Sequence, residues 1–179
     1  MSAEDQWRLL QLVEETIRAC VHRRQPPVDP CDPVFAEPQP MFITVRVRGE
    51  LRGCIGRLDP TRNSAVTAIE TAAAALRDGR FADRRVTVDE LANLTVELML
   101  LGPRQRIDGP GDIEIGRHGV VLELDDRTAV FLPQVAVEQG WNAVDLLGNL
   151  CTKKLKLPAE SWLLPSAKLW VMEGQKLAT

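Results

Sequence analysis

Hydrophobic residues follow two different periods along this chain, and each change of period marks an element. Trp7, Leu10, Val13, Ile17, Cys20 and Val21 recur at steps of three and four, one apolar stripe that predicts a helix from about Glu4 to Arg23. From Gln25 to Pro40 a proline stands every few residues. Each removes a backbone donor and restricts the residue before it, so this stretch reads as an extended, anchored connector or a mobile loop, not as helix or central strand.

Beyond the connector the period becomes two. Met41, Ile43, Val45 and Val47 alternate with Thr44, Arg46 and Arg48 ahead of the run LRGCIG, Leu51 to Gly56, which predicts a hairpin turning at Arg48, Gly49 and Glu50. Turn length decides which way the second strand faces. A two-residue Gly-Glu turn would pair Val45 with Cys54, whereas a three-residue turn puts Leu51 and Ile55 beside Val47 and Ile43 and leaves one face wholly apolar. The three-residue turn is preferred, and it sets Thr44, Arg46, Arg52 and Cys54 together on the other face.

A helix is predicted from about Ser64 to Leu76, with Val66, Ile69, Ala73 and Leu76 inward and a polar stop at Arg77, Asp78 and Gly79. Thr87 and Glu90 have the spacing of a capping box, and LTVELMLL after them reads as a buried strand. The second half repeats this order. A hairpin over GVVLELDDRTAVFLPQV turns at Asp125 to Arg127, a helix opened by Asn142 runs through AVDLLGNLCTKKL, and KLWVMEG supplies a closing strand. Hairpin followed by helix, twice, is the order of an internally duplicated α+β fold. The expectation is one domain over residues 1–179, or two intimately packed lobes built on antiparallel or mixed sheet.

Composition narrows the function classes. A net charge of -3 and an aromatic content of 4% give neither the cationic field nor the stacking platforms that nucleic acid requires. The acidic, amphipathic N-terminus lacks the basic start and short apolar run of a signal peptide, and no segment approaches the apolar length of a membrane span. A cytoplasmic location is expected. Cys20, Cys31, Cys54 and Cys151 lie far apart and form no CxxC pair, so no metal site is assigned and free thiols are expected. No GxSxG elbow, phosphate-binding loop, GxGxxG run or HExxH helix is present, which disfavours the common hydrolases, NTPases and dehydrogenases.

Two residues remain as candidates for chemistry. Cys54 sits between glycines and beside Arg52, and a neighbouring cation favours thiolate. His118, in GRHGVV, stands directly before a strand and is a candidate base. Against these readings, a free cysteine is commonly a small buried hydrophobe, and glycines in a strand serve bulges and close packing.

LRGCIGRLDP, DGRFADRRVTVDEL, VELMLLGP, RHGVVLELDDRTAVFLPQVAVEQGW and LCTKKLKLPAESW, in this order, closely resemble the AMMECR family, whose prokaryotic members are called AmmeMemoRadiSam system protein A. The resemblance covers about residues 6–173. It implies an α+β fold of two lobes with a cleft near LRGCIG, and an association with Memo-like and radical SAM proteins; it implies no settled activity, and any cofactor is unknown. Carried over by position, the family's hexapeptide falls on Leu51 to Gly56, its Asp-x-Arg-Phe element on Asp78, Arg80 and Phe81, and its FLPQV element on Phe131 to Val135. Arg52, Gly53, Gly56, Arg80 and Gln134 thus become candidate ligand-binding residues beside Cys54 and His118. Where relatives commonly have DPRFPP this chain has DGRFAD, which loosens that loop. Two functional readings stay open: an adaptor or ligand-binding component working with those partners, and a cysteine-dependent enzyme or enzyme subunit using Cys54.

Overall fold

The computed structural model describes Met1–Thr179 and divides into two compact units, Met1–Leu100 with Gln175–Thr179, and Leu101–Gly174. Helices and antiparallel strands are mixed in both, an α+β fold.

In the first unit α1 (Ala3–Val21) opens on a capping box between Ser2 and Asp5 and buries Leu9, Leu10, Val13, Thr16 and Ile17. Leu9 replaces Trp7 in the expected stripe, and Trp7 is half exposed. The buried arc is wider than one stripe because these side chains join a core shared by α2 (Ser64–Ala75) and a sheet, so two neighbouring leucines can both be covered. The proline-rich connector is anchored. Phe35 is buried, Arg8 pairs with Asp32, and Asn63 donates to Asp29.

Strands β1 (Met41–Val47), β2 (Glu50–Arg57) and β3 (Leu94–Leu101) lie in the order β2-β1-β3, and β7 (Lys168–Ala178) follows β3. Met41, Ile43 and Val45 face the helices together with Val96, Leu98 and Leu100. The β1–β2 turn differs from expectation. It has two residues, Arg48 and Gly49, both left-handed at φ 51° and 81°, which matches the right-handed twist of the strands. Parity is then recovered by a bulge. Val45 pairs with Gly53 but Arg46 with Leu51, leaving Arg52 as the extra residue. Cys54 therefore opposes Thr44 and Ile55 opposes Ile43, as a three-residue turn would give, whereas Leu51 opposes Arg46 instead of Val47.

The face that α2 buries is also not the expected one. Ala65, Ala68, Ala72 and Ala75 are fully covered with Thr67 and Thr71, while Val66, Ile69, Ala73 and Leu76 are only half-buried. Small residues face inward because the helix lies very close to the sheet. A Cβ on Gly53 would fall on the backbone carbonyl of Ala75.

In the second unit the strand order is β4 (Gln105–Ile107), β7, β5 (His118–Leu124), β6 (Arg127–Phe131). The β5–β6 hairpin likewise turns on two residues, Asp125 and Asp126, with Asp125 left-handed. α3 (Pro133–Gln139) stops at the left-handed Gly140, and α4 (Ala143–Asn149) is opened by Asn142 and Asp145 as a capping box. α4 then widens into a π-helical turn, Leu150–Leu155, which ends on the left-handed Lys156. Leu146, Leu147, Leu150 and Cys151 pack with Val120, Leu122, Leu169 and Val171.

The contact at Gly53 predicts a graded response to added methyl groups. Gly53→Ala must move backbone and is expected to cost about 3 kcal/mol, the upper end for overpacking. Gly56→Ala meets the Phe42 ring, a side chain, and should cost less. Gly79→Ala, with open space around it, should stay within about 0.5 kcal/mol of the parent. Urea denaturation of the three variants reads this order.

Candidate functional site

LRGCIG forms most of β2, which is the edge strand of its unit. An edge strand presents alternate backbone groups outward without partners. At Cys54 both outward groups are met by the segment that leaves α2. The Cys54 N–H donates to Asp78 Oδ2 at 3.1 Å, and Arg80 Nη2 donates to the Cys54 carbonyl at 2.7 Å. Asp78 and Arg80 are bound to each other at 2.6 Å. Asp78 also accepts the Arg80 backbone N–H at 3.1 Å, capping the 3₁₀ turn Gly79–Phe81. The carboxylate, not a proline, shapes the DGRF turn.

Asp78 is buried. The Arg80 guanidinium beside it, helped by the two backbone N–H donors and opposed by burial, holds its carboxyl down at about 2. Arg80 itself is mostly exposed, so the pair reaches from the strand's backbone into solvent.

Arg52 turns to other partners. Its guanidinium donates to Glu50 at 2.9 Å and to Glu90 at 3.2 Å, with only 12% of the side chain exposed, and its buried Nε has no partner. Glu90 also accepts the Thr87 N–H at 3.0 Å, closing the capping box of the 3₁₀ turn Val88–Asn93. Arg52 therefore ties that turn to the bulge of β2. Arg46, expected beside the thiol, donates to Glu97 and to the Gly49 carbonyl. The group that reaches the Cys54 sulfur is the buried Thr44 hydroxyl, at 3.4 Å. Cys54 is half-buried, whereas Cys151 is fully buried and burial pushes its thiol up.

Gly53 and Gly56 have packing neighbours where a side chain would stand, the Ala75 carbonyl and the Phe42 ring. The first unit thus brings together Cys54, Gly53, Gly56 and Arg80, with Arg52 bonded to carboxylates at the bulge. His118 and Gln134 belong to the second unit. His118 begins β5 opposite Glu173, and its Nδ1 accepts the Glu114 N–H at 3.1 Å, so the neutral ring carries its proton on Nε2. Gln134 lies in the first turn of α3 with a buried, unpartnered Oε1. Asp78, Thr44 and Glu90 were not among the sequence candidates. Each had a signal of another kind: Asp78 in the Asp-x-Arg-Phe element, Thr44 on the face predicted for Cys54, and Glu90 in the capping box.

These features describe a class, a two-unit α+β protein in which a glycine-flanked cysteine on an edge strand is clamped through its backbone by an Asp-x-Arg turn. The chain belongs to the AMMECR1 family, whose pattern it matches over residues 10–177. It is 35% identical to Protein MK0488 of Methanopyrus kandleri over 150 residues, 79% of this chain and 72% of that protein. A Methanothermobacter thermautotrophicus protein is 33% identical over 170 residues, 91% of this chain and 86% of the relative. Among solved structures, the uncharacterized protein PH0010 from Pyrococcus horikoshii superposes with a TM-score of 0.84 at 28% identity, covering 96% of this chain and 89% of that one. No helix is long and apolar enough to cross a membrane.

The clamp has a pH signature. A carboxyl held at about 2 against an ordinary 3.8 stabilises the fold fully above the ordinary value, and the contribution is lost as pH falls towards 2. Because Arg80 is solvent-screened, the loss should be about 1 to 2 kcal/mol. Asp78→Asn should lower stability at pH 7 and flatten the curve between pH 4 and 2, as read by urea melts across that range.

Proposed function

We propose that this chain is an adaptor or ligand-binding component working with a Memo-like and a radical SAM protein, and not a free-standing enzyme. The partners come from the family resemblance. The observation that carries the adaptor reading is how the charges around Cys54 are used. Arg46, Arg52 and Arg80 all hold carboxylates or backbone carbonyls, and the thiol's hydrogen-bond partner is the Thr44 hydroxyl. A thiolate nucleophile needs an oriented base, and a threonine hydroxyl that donates to sulfur is not one. The cations beside Cys54 serve to fix the shape of the edge strand, which suits a surface presented to another molecule.

A cysteine-dependent activity is the second reading, favoured by one observation. Cys54 is half-buried, unlike the fully buried Cys151, so the residue is not sealed in the core.

Size-exclusion chromatography with the Memo-like protein of the same genome tests the first reading. Co-elution is expected for the parent and, undiminished, for Cys54→Ser, because the thiol is not required to shape the strand. Arg80→Ala, which frees the Cys54 carbonyl, should weaken the complex. Absence of a complex with either partner protein would sink the adaptor reading, and turnover of a small metabolite by the isolated chain, abolished in Cys54→Ser, would replace it with the second.

A further inference from the structure

In the first unit α1 and α2 end at the same place. Their last turns, with the segment Arg85 to Val88, wall a cavity of about 700 Å³, inside the range of roughly 300 to 1,000 Å³ typical of small-molecule sites. Its charge is one-sided. Arg23, Arg77 and Arg85 line it, and no aspartate or glutamate does. Arg85 donates to the Leu76 carbonyl at 3.1 Å, while the guanidinium groups of Arg23 and Arg77 hold no carboxylate. In a chain of net charge -3, three arginines lining one cavity without a carboxylate are not the average surface.

Cations do stabilise helix C-termini by opposing the dipole, and Arg23 and Arg77 stand just past two such ends. That role needs neither a concavity nor an apolar wall. Here the wall between the arginines is built from Val21, Leu76 and Val86, which are half-buried and leave apolar surface towards the cavity. The one ring in its lining is the exposed imidazole of His22, no side-chain amide lines it, and its one threonine, Thr87, already gives its hydroxyl to Glu90 at 3.2 Å. No phenylalanine, tyrosine or tryptophan offers a broad stacking platform. What remains for recognition is positive charge beside aliphatic surface.

We propose that this cavity binds an aliphatic organic anion, with a carboxylate or phosphate head held by Arg23 and Arg77 and an apolar chain lying on Val21, Leu76 and Val86. The site is separate from the Cys54 strand and goes beyond the adaptor reading, standing or falling independently of it. Cys20 lies in the wall. Burial pushes its thiol up, with Arg77 pulling the other way, so Cys20 serves as a slow reporter of occupancy and not as a reactant.

Calorimetric titration of the full chain with octanoate and with octyl phosphate, both below their micellar concentrations, is the test. Saturable one-to-one binding of at least one is expected, and whichever binds tighter identifies the head group. Arg23→Gln and Arg77→Gln, at exposed positions where the melting temperature should hold, should each weaken it about tenfold, the worth of one charge-assisted contact. Octanol and inorganic phosphate should each bind at least about tenfold more weakly than the octyl anion, since each lacks one half of the ligand. Saturating octanoate or octyl phosphate should slow alkylation of Cys20, mapped by peptide mass, and leave the exposed Cys31 unchanged. Failure of both octyl anions to saturate overturns the proposal, as does octanol binding equally well or affinity that ignores both arginine substitutions. Inorganic phosphate matching octyl phosphate would remove the apolar wall from the site. An oligoglutamate peptide that binds where neither octyl anion does would reassign the surface to a protein partner.

Discussion

Where β2 passes beneath the end of α2, the carbonyl oxygen of Ala75 takes the space that a side chain on residue 53 would need. Most of the first unit follows from that approach. A helix this close to a strand can face it only with small residues, so alanines and threonines fill its buried side and the larger Val66 and Ile69 turn partly outward. The chain leaving the helix is then beside the strand's open edge. Asp78, three residues past Ala75, reaches the Cys54 N–H without an intervening loop. A bulkier residue at 53 would lift the helix end and carry the clamp away with it.

The clamp addresses a general weakness of sheets. An unpaired edge offers donors and acceptors to any other strand, and β2 lies at such an edge. Asp78 and Arg80 occupy both backbone groups of Cys54, and Arg52 with Glu90 fixes the bulge two residues earlier. A buried carboxylate is costly alone, but Asp78 has a guanidinium and two backbone N–H donors, which is why it stays ionised. The arginines that make LRGCIG and DGRF look reactive in one dimension are, in three, mostly hydrogen-bond partners of the backbone and its carboxylates.

The two units share an order of elements but not the device that finishes them. In the first, a helix ends against a glycine and hands over to a capped 3₁₀ turn. In the second, α4 widens into a π-helical turn from which Lys153 and Lys154 lie over the rings of Trp141 and Phe131. Repeated hairpin-helix order therefore describes the plan of the chain without fixing the chemistry of either end.

Elements whose cause is local are legible in the order of residues. The helical period of α1, apart from Trp7, the alternation of β1, the capping box at Thr87, the helix start at Asn142 and the family motifs are written in neighbouring residues, and the structure has each of them. Features that depend on distant groups are set by folding. The hairpin register could not be read from turn length alone, because a two-residue turn and a bulge at Arg52 together reproduce the pairing of Cys54 with Thr44. Hydrophobicity favours Val66 and Ile69 for the inward face of α2, whereas the space beside Gly53 admits only small side chains. Glu50 and Asp78 stand two positions from Arg52 and Arg80, but Glu90 reaches Arg52 from 38 positions along the chain and the Cys54 carbonyl meets Arg80 from 26, and the spacing of charges in a sequence carries no record of these distant meetings.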